Sequence, residues 1–178
     1  MAPTQSAPSD RSPAAPATFA LILVMLGGCA APRTAEAPLF RPFSYKAVDG
    51  RIVSNETLAG RVSIIGVLAS FDVPSQLEAR ALSSLARRHA ALINTAVLMR
   101  ESVENKPLVE VFARSVGLTC PIAMVDGDAL PEGSAFSGLR GVPSILVLDR
   151  AGREAWRHVG FVSERTLEAV LTAVDTTR

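Results

Sequence analysis

The sequence predicts a three-layer α/β sandwich with an N-terminal β-hairpin, and three observations carry that prediction. Two runs, Val62–Ala69 and Thr95–Met99, are almost wholly apolar and rich in β-branched residues, as strands covered on both faces should be. Apolar residues recur at helical spacing between and after those runs. A late strand, Ser144–Leu148, then turns through Asp149-Arg150-Ala151-Gly152 into Glu154–Val159 and a final helix. The order is hairpin, β-α-β-α-β, then β-β-α, which suits parallel crossovers followed by an antiparallel end.

The elements follow in order. Asp49-Gly50, inside Ala47–Val53, signals a tight primed hairpin turn. Ser75–Ile93 reads as a helix, with Leu77, Ala81, Leu85, Ala86 and Leu92 facing the core and Arg80, Arg87 and Arg88 between them. Lys106–Val116 reads as another, with Leu108, Val109, Val111 and Phe112 as its apolar set and Gly117 as its C-terminal cap. Ile122–Val125 is a short strand ending in the turn Asp126-Gly127-Asp128. Ser163 caps the last helix, which turns Leu167, Val170, Leu171 and Val174 to one side.

With 178 residues the chain is one domain plus an extra segment, on a prior of about 150 residues per domain. A domain of that size buries about two-thirds of its unfolded surface and needs no disulfide staple. The 18 basic and 17 acidic residues balance, which argues against a nucleic-acid partner. No repeat is evident, and no apolar run is long enough for a mature membrane span. The cysteines are Cys29 and Cys120 and the histidines His89 and His158; their spacing suggests no metal set, and no cofactor is expected.

The N-terminus reads separately. Residues 1–18 are rich in Pro, Ala and Ser, and Phe19–Leu26 is a short apolar run followed by Gly27-Gly28-Cys29-Ala30. That order fits a signal peptide better than a buried helix ending at a glycine pair. Leu26-Gly27-Gly28-Cys29 resembles the lipobox of bacterial lipoproteins, in which the cysteine is acylated and becomes the mature N-terminus. The expected organisation is a signal peptide over 1–28, a Pro-containing tether over 29–42 and the folded domain over 43–178. The resemblance implies lipidation at Cys29 and a place in the bacterial cell envelope, facing periplasm or exterior.

Three further pieces coincide: a strand running into Ala69-Ser70-Phe71-Asp72-Val73-Pro74-Ser75, then Gly141-Val142-Pro143-Ser144, then Val147–Arg153 leading to Arg157-His158-Val159-Gly160. Together they resemble the thioredoxin-like superfamily, in particular the membrane-anchored thiol-disulfide oxidoreductases of the TlpA and ResA type, over roughly Phe43 to Val174. The resemblance implies a thioredoxin-like sandwich with a central βα insertion. It matches Phe71, Asp72, Pro74, Ser75 and Glu78 to the Trp, first Cys, Pro, second Cys and Glu of Trp-Cys-x-Pro-Cys-x-x-Glu. It matches Pro143 to a cis-proline beside the active-site turn.

Thiol–disulfide exchange needs an attacking thiolate and a resolving thiol, and Asp72 and Ser75 are neither. As residue types they are what a helix start prefers. The resemblance then implies a redox-inactive domain that binds an envelope protein or peptide in a groove of Phe71, Pro74, Val142 and Pro143, without covalent chemistry. Two other readings stand beside it. One is an oxidoreductase, or a peroxidase of the redoxin type, acting through Cys120 alone; the other is a structural envelope component.

Overall fold

The computed structural model describes residues 39–126 and 134–176. Residues 1–28, Cys29 and the tether up to residue 38 lie outside the described residues, as do Gly127 and Asp128 of the predicted turn.

A five-stranded mixed sheet forms the middle layer. Its strands are β3 (Val62–Leu68), β4 (Ile93–Arg100), β5 (Ile122–Val125), β6 (Ser144–Leu148) and β7 (Glu154–Val159), in the order β5-β4-β3-β6-β7. β3 pairs in parallel with β4 and β4 with β5, while β6 runs antiparallel to both β3 and β7. Every residue of β3 is buried, because alternate side chains serve two cores. Ile64 and Leu68 face one cluster with α2 (Val73–Arg88), α3 (Lys106–Val116) and α4 (Glu164–Thr176). Ile65 and Val67 face the other. That second face is covered by the hairpin β1 (Ser44–Lys46) and β2 (Ile52–Ser54), the one-turn helix α1 (Asn55–Leu58), Phe40, and Phe136 with Leu139. Phe40, Phe43 and Tyr45 each lie 5.0–6.1 Å from the Phe136 ring, so residues 40–42, assigned to the tether, lead directly into a packed aromatic group.

The sandwich and its element order stand as predicted, and the central insertion is α3 with β5. Several details differ. The hairpin closes through a three-residue loop rather than a two-residue turn: beyond Lys46↔Ile52 the Ala47 N–H still donates to the Arg51 carbonyl at 2.8 Å, and Gly50 takes a φ of 87° inside the loop. Ala47 also bridges Ala123 on β5, which ties the hairpin to the sheet edge. α2 starts at Val73 and stops at Arg88, because Leu92 N–H and Ile93 N–H both donate to the His89 carbonyl and turn the chain into β4. Its core face is Ser75, Glu78, Ala79, Leu82 and Leu85, while Leu77 and Leu92 are exposed. Leu108 and Val111 of α3 are likewise exposed. A Ser54–Thr57 capping box starts α1 directly after β2, an element beyond the predicted order.

Candidate functional site

Strand register assembles the site. Val67 lies opposite Ser144 and Leu68 opposite Met99, so the turn after β3 emerges between Pro143 and the end of β4. Segments 69–72, 100–101 and 142–143 therefore meet at one end of the sheet.

Asp72 is the N-cap of α2, in extended backbone (φ −101°, ψ 120°). Its Oδ2 accepts from the Ser75 backbone N–H at 2.8 Å and from the Ser75 hydroxyl at 2.7 Å. The Ser75 oxygen in turn accepts from the Ala69 N–H at 3.2 Å. This is the reciprocal satisfaction that helix starts need, and Pro74 fits because a first-turn N–H has no intrahelical acceptor to lose. Ser75 has no solvent exposure and its hydroxyl proton is committed to Asp72, so it presents no free nucleophile. The apolar side chains around this closed ring point outward: Phe71 is 76 % exposed, Val73 65 % and Leu77 51 %.

The Val142–Pro143 peptide bond is cis, and the Gly160 N–H donates to the Pro143 carbonyl at 2.8 Å. Val142 is half-buried and packs on the second core cluster. One turn into α2, Glu78 is fully buried; its Oε2 accepts from the Val162 N–H at 2.7 Å. Its Oε1 has no hydrogen-bond partner among the described residues. Burial pushes this carboxyl up to about 7, outweighing the backbone donor that favours the charged form.

Two residues of the site had no signal in the sequence. Glu101, buried just beyond β4, accepts from the Ser70 N–H and so holds the turn before α2. It also lines a cleft of about 760 Å³ with Lys46, Asp49, Val103, Lys106 and Asp126. Phe161, 48 % exposed, stands between the two pinned residues Gly160 and Val162.

Cys120 is not brought to this end. Ile122 pairs with Val97 at the middle of the sheet, and Cys120 lies two residues farther from Asp72. It packs partly buried against the helical core cluster, and burial pushes its thiol up to about 12 against the weaker pull of Arg51. His89 caps the far end of α2, and His158 stacks on Trp156 at 5.6 Å on β7. Among the described residues no group of three His, Cys, Asp or Glu could hold a metal ion. None of the described helices is long and apolar enough to cross a membrane.

No protein-family model and no curated protein matches the sequence. The fold does match solved structures. A thiol-disulfide isomerase from Corynebacterium glutamicum superposes with a TM-score of 0.67 at 22% identity, over 80% of this chain and 99% of that one. A thioredoxin-family thiol:disulfide interchange protein from Chlorobium tepidum gives 0.65 at 21%, over 79% and 97%. An exposed lipoprotein thioredoxin from Streptococcus pneumoniae gives 0.62 at 14%, over 75% and 99%. The chain has the thioredoxin-like fold of the thiol:disulfide interchange proteins.

Proposed function

We propose that the chain is a redox-inactive thioredoxin-like docking module, lipid-anchored through Cys29 in the bacterial cell envelope, that holds an extended peptide or protein segment. The observation that carries this reading is the closed Asp72–Ser75 ring at the helix start, with exposed Phe71, Val73 and Pro74 around it. The ring occupies the two positions matched to the redox cysteines and has no sulfur to exchange. The cis Val142–Pro143 segment beside it supports retention of a peptide-binding frame. The anchor rests on the Leu26–Cys29 motif, and the exposed lipoprotein among similar structures supports such an arrangement.

The test uses the soluble domain and the S-carboxymethylated insulin B chain, an extended chain without free thiols, as a fluorescent probe. Saturable binding that weakens at least fivefold in Phe71→Ala is expected, together with no reduction of intact insulin. Insulin reduction that disappears in Cys120→Ser would overturn the reading.

The alternative, thiol chemistry through Cys120, draws on the interchange protein and the isomerase among the similar structures. The elevated thiol weighs against it, since the thiolate is the reactive species. Iodoacetamide at pH 8 is expected to label native protein slowly and urea-unfolded protein rapidly. Rapid labelling of the native chain would favour the alternative.

A further inference from the structure

The buried carboxyl of Glu78 has no thiol to serve at Ser75, yet it ends on a backbone N–H 84 residues away. We infer that Glu78 is a positioning residue that holds Phe161 as the second aromatic wall of the docking face, making the face selective for segments with a bulky apolar side chain.

Three observations meet here. The stretch 160–162 leaves β7 and enters α4, and it is fixed at both ends: Gly160 N–H to the Pro143 carbonyl, and Val162 N–H to Glu78 Oε2. Val162 is buried in the helical core cluster, so its backbone cannot turn to water for another acceptor. Phe161, between the two, is held half-exposed. Glu78 sits on the first turns of α2, the helix that carries Val73 and Leu77 outward and starts two residues after the exposed Phe71. One side chain thus joins the helix behind the first aromatic to the loop bearing the second. A buried acceptor for an otherwise stranded N–H contributes strongly to local order, because losing it leaves the donor desolvated. Loss of this one bond frees the 160–162 loop without touching the strands beneath it.

The inference rests on the docking reading, so two measurements separate them. The first is hydrogen exchange of backbone amides, which needs no ligand. In Glu78→Ala the Val162 amide is expected to exchange at least tenfold faster while the amides of Ile64 to Val67 keep their protection. In Glu78→Gln, whose side-chain carbonyl can still accept, Val162 is expected to stay protected. Unchanged protection of Val162 in Glu78→Ala, or a uniform loss across the sheet, overturns the clamp. The second is affinity for the S-carboxymethylated insulin B chain. Glu78→Ala and the surface variant Phe161→Ala are each expected to weaken it about fivefold, Glu78→Gln to restore it, and the double variant to lose no more than either single one. Full additivity, or unaltered binding in Phe161→Ala, overturns the selectivity claim. Failure of the wild-type domain to bind the probe overturns the docking reading and with it the selectivity, while the exchange result still decides the clamp.

Discussion

Asp72 accepts two of the three hydrogen bonds that link Ala69, Asp72 and Ser75 at the start of α2, so its removal tests how far the helix start depends on one side chain. Asp72→Ala is expected to lower unfolding free energy by about 1–2 kcal/mol in urea titration, and Asp72→Asn by much less, since Asn caps nearly as well. Glu78 yields a pH dependence of definite sign. Its carboxyl titrates near 4.5 when exposed and at about 7 in the fold. The folded state therefore favours the protonated form, and that stabilisation is complete below about pH 4.5 and lost as pH rises through 7. The shift is on the order of 3 kcal/mol at most. Glu78→Gln is expected to flatten the pH–stability curve over this window and to be the more stable protein at pH 8. A parallel curve for the variant would remove Glu78 as the cause. At this scale the legible part of the site was the local part. Asp-Val-Pro-Ser spells a capped helix start because cap and first turn are neighbours in sequence. The bonds from Glu78 to Val162 and from Glu101 to Ser70 span 84 and 31 residues, and no local pattern announces them.

Among the elements, strands were read more faithfully than helix faces. β3 and β6 are continuous apolar runs buried on both sides, so no choice of face arises for them. α2 offers a choice, and polar residues decide it: Ser75, Glu78 and Ser83 are buried, which rotates the apolar period so that Leu77 faces out. Leu77→Lys is therefore expected to leave the melting temperature within about 2 °C of the parent, well below the loss from an apolar core truncation. Helix and sheet approach closely at Gly66, where a Cβ would stand 2.6 Å from Leu82 Cδ1. Gly66→Val is expected to destabilise the domain by about 1–3 kcal/mol through overpacking, read as a lower urea midpoint with an unchanged slope. The three-residue hairpin loop shows the complementary limit. Asp-Gly marks the turn, but no local pattern announces the contacts that tie Ala47 and Val48 to β5.

For the molecule as a whole, the thioredoxin-like frame persists around a site whose proposed redox positions hold Asp and Ser. If that frame is intact, restoring sulfur should restore chemistry. Asp72 is half-buried and Ser75 fully buried at a helix start, an environment that lowers the pKa of an outer thiol and shields an inner one. The paired substitution Asp72→Cys and Ser75→Cys is expected to form a reducible disulfide and to catalyse insulin reduction that the parent lacks. A disulfide that forms without turnover would mean the surrounding groups no longer support exchange. The route of the chain adds a directional consequence. Leu39 bridges Arg153 just before β7 begins, whereas Phe71, Pro143 and Phe161 gather where β7 ends and β6 begins. The described chain thus enters the sheet at the end remote from Phe71 and Phe161, which leaves that aromatic rim clear of the entry point.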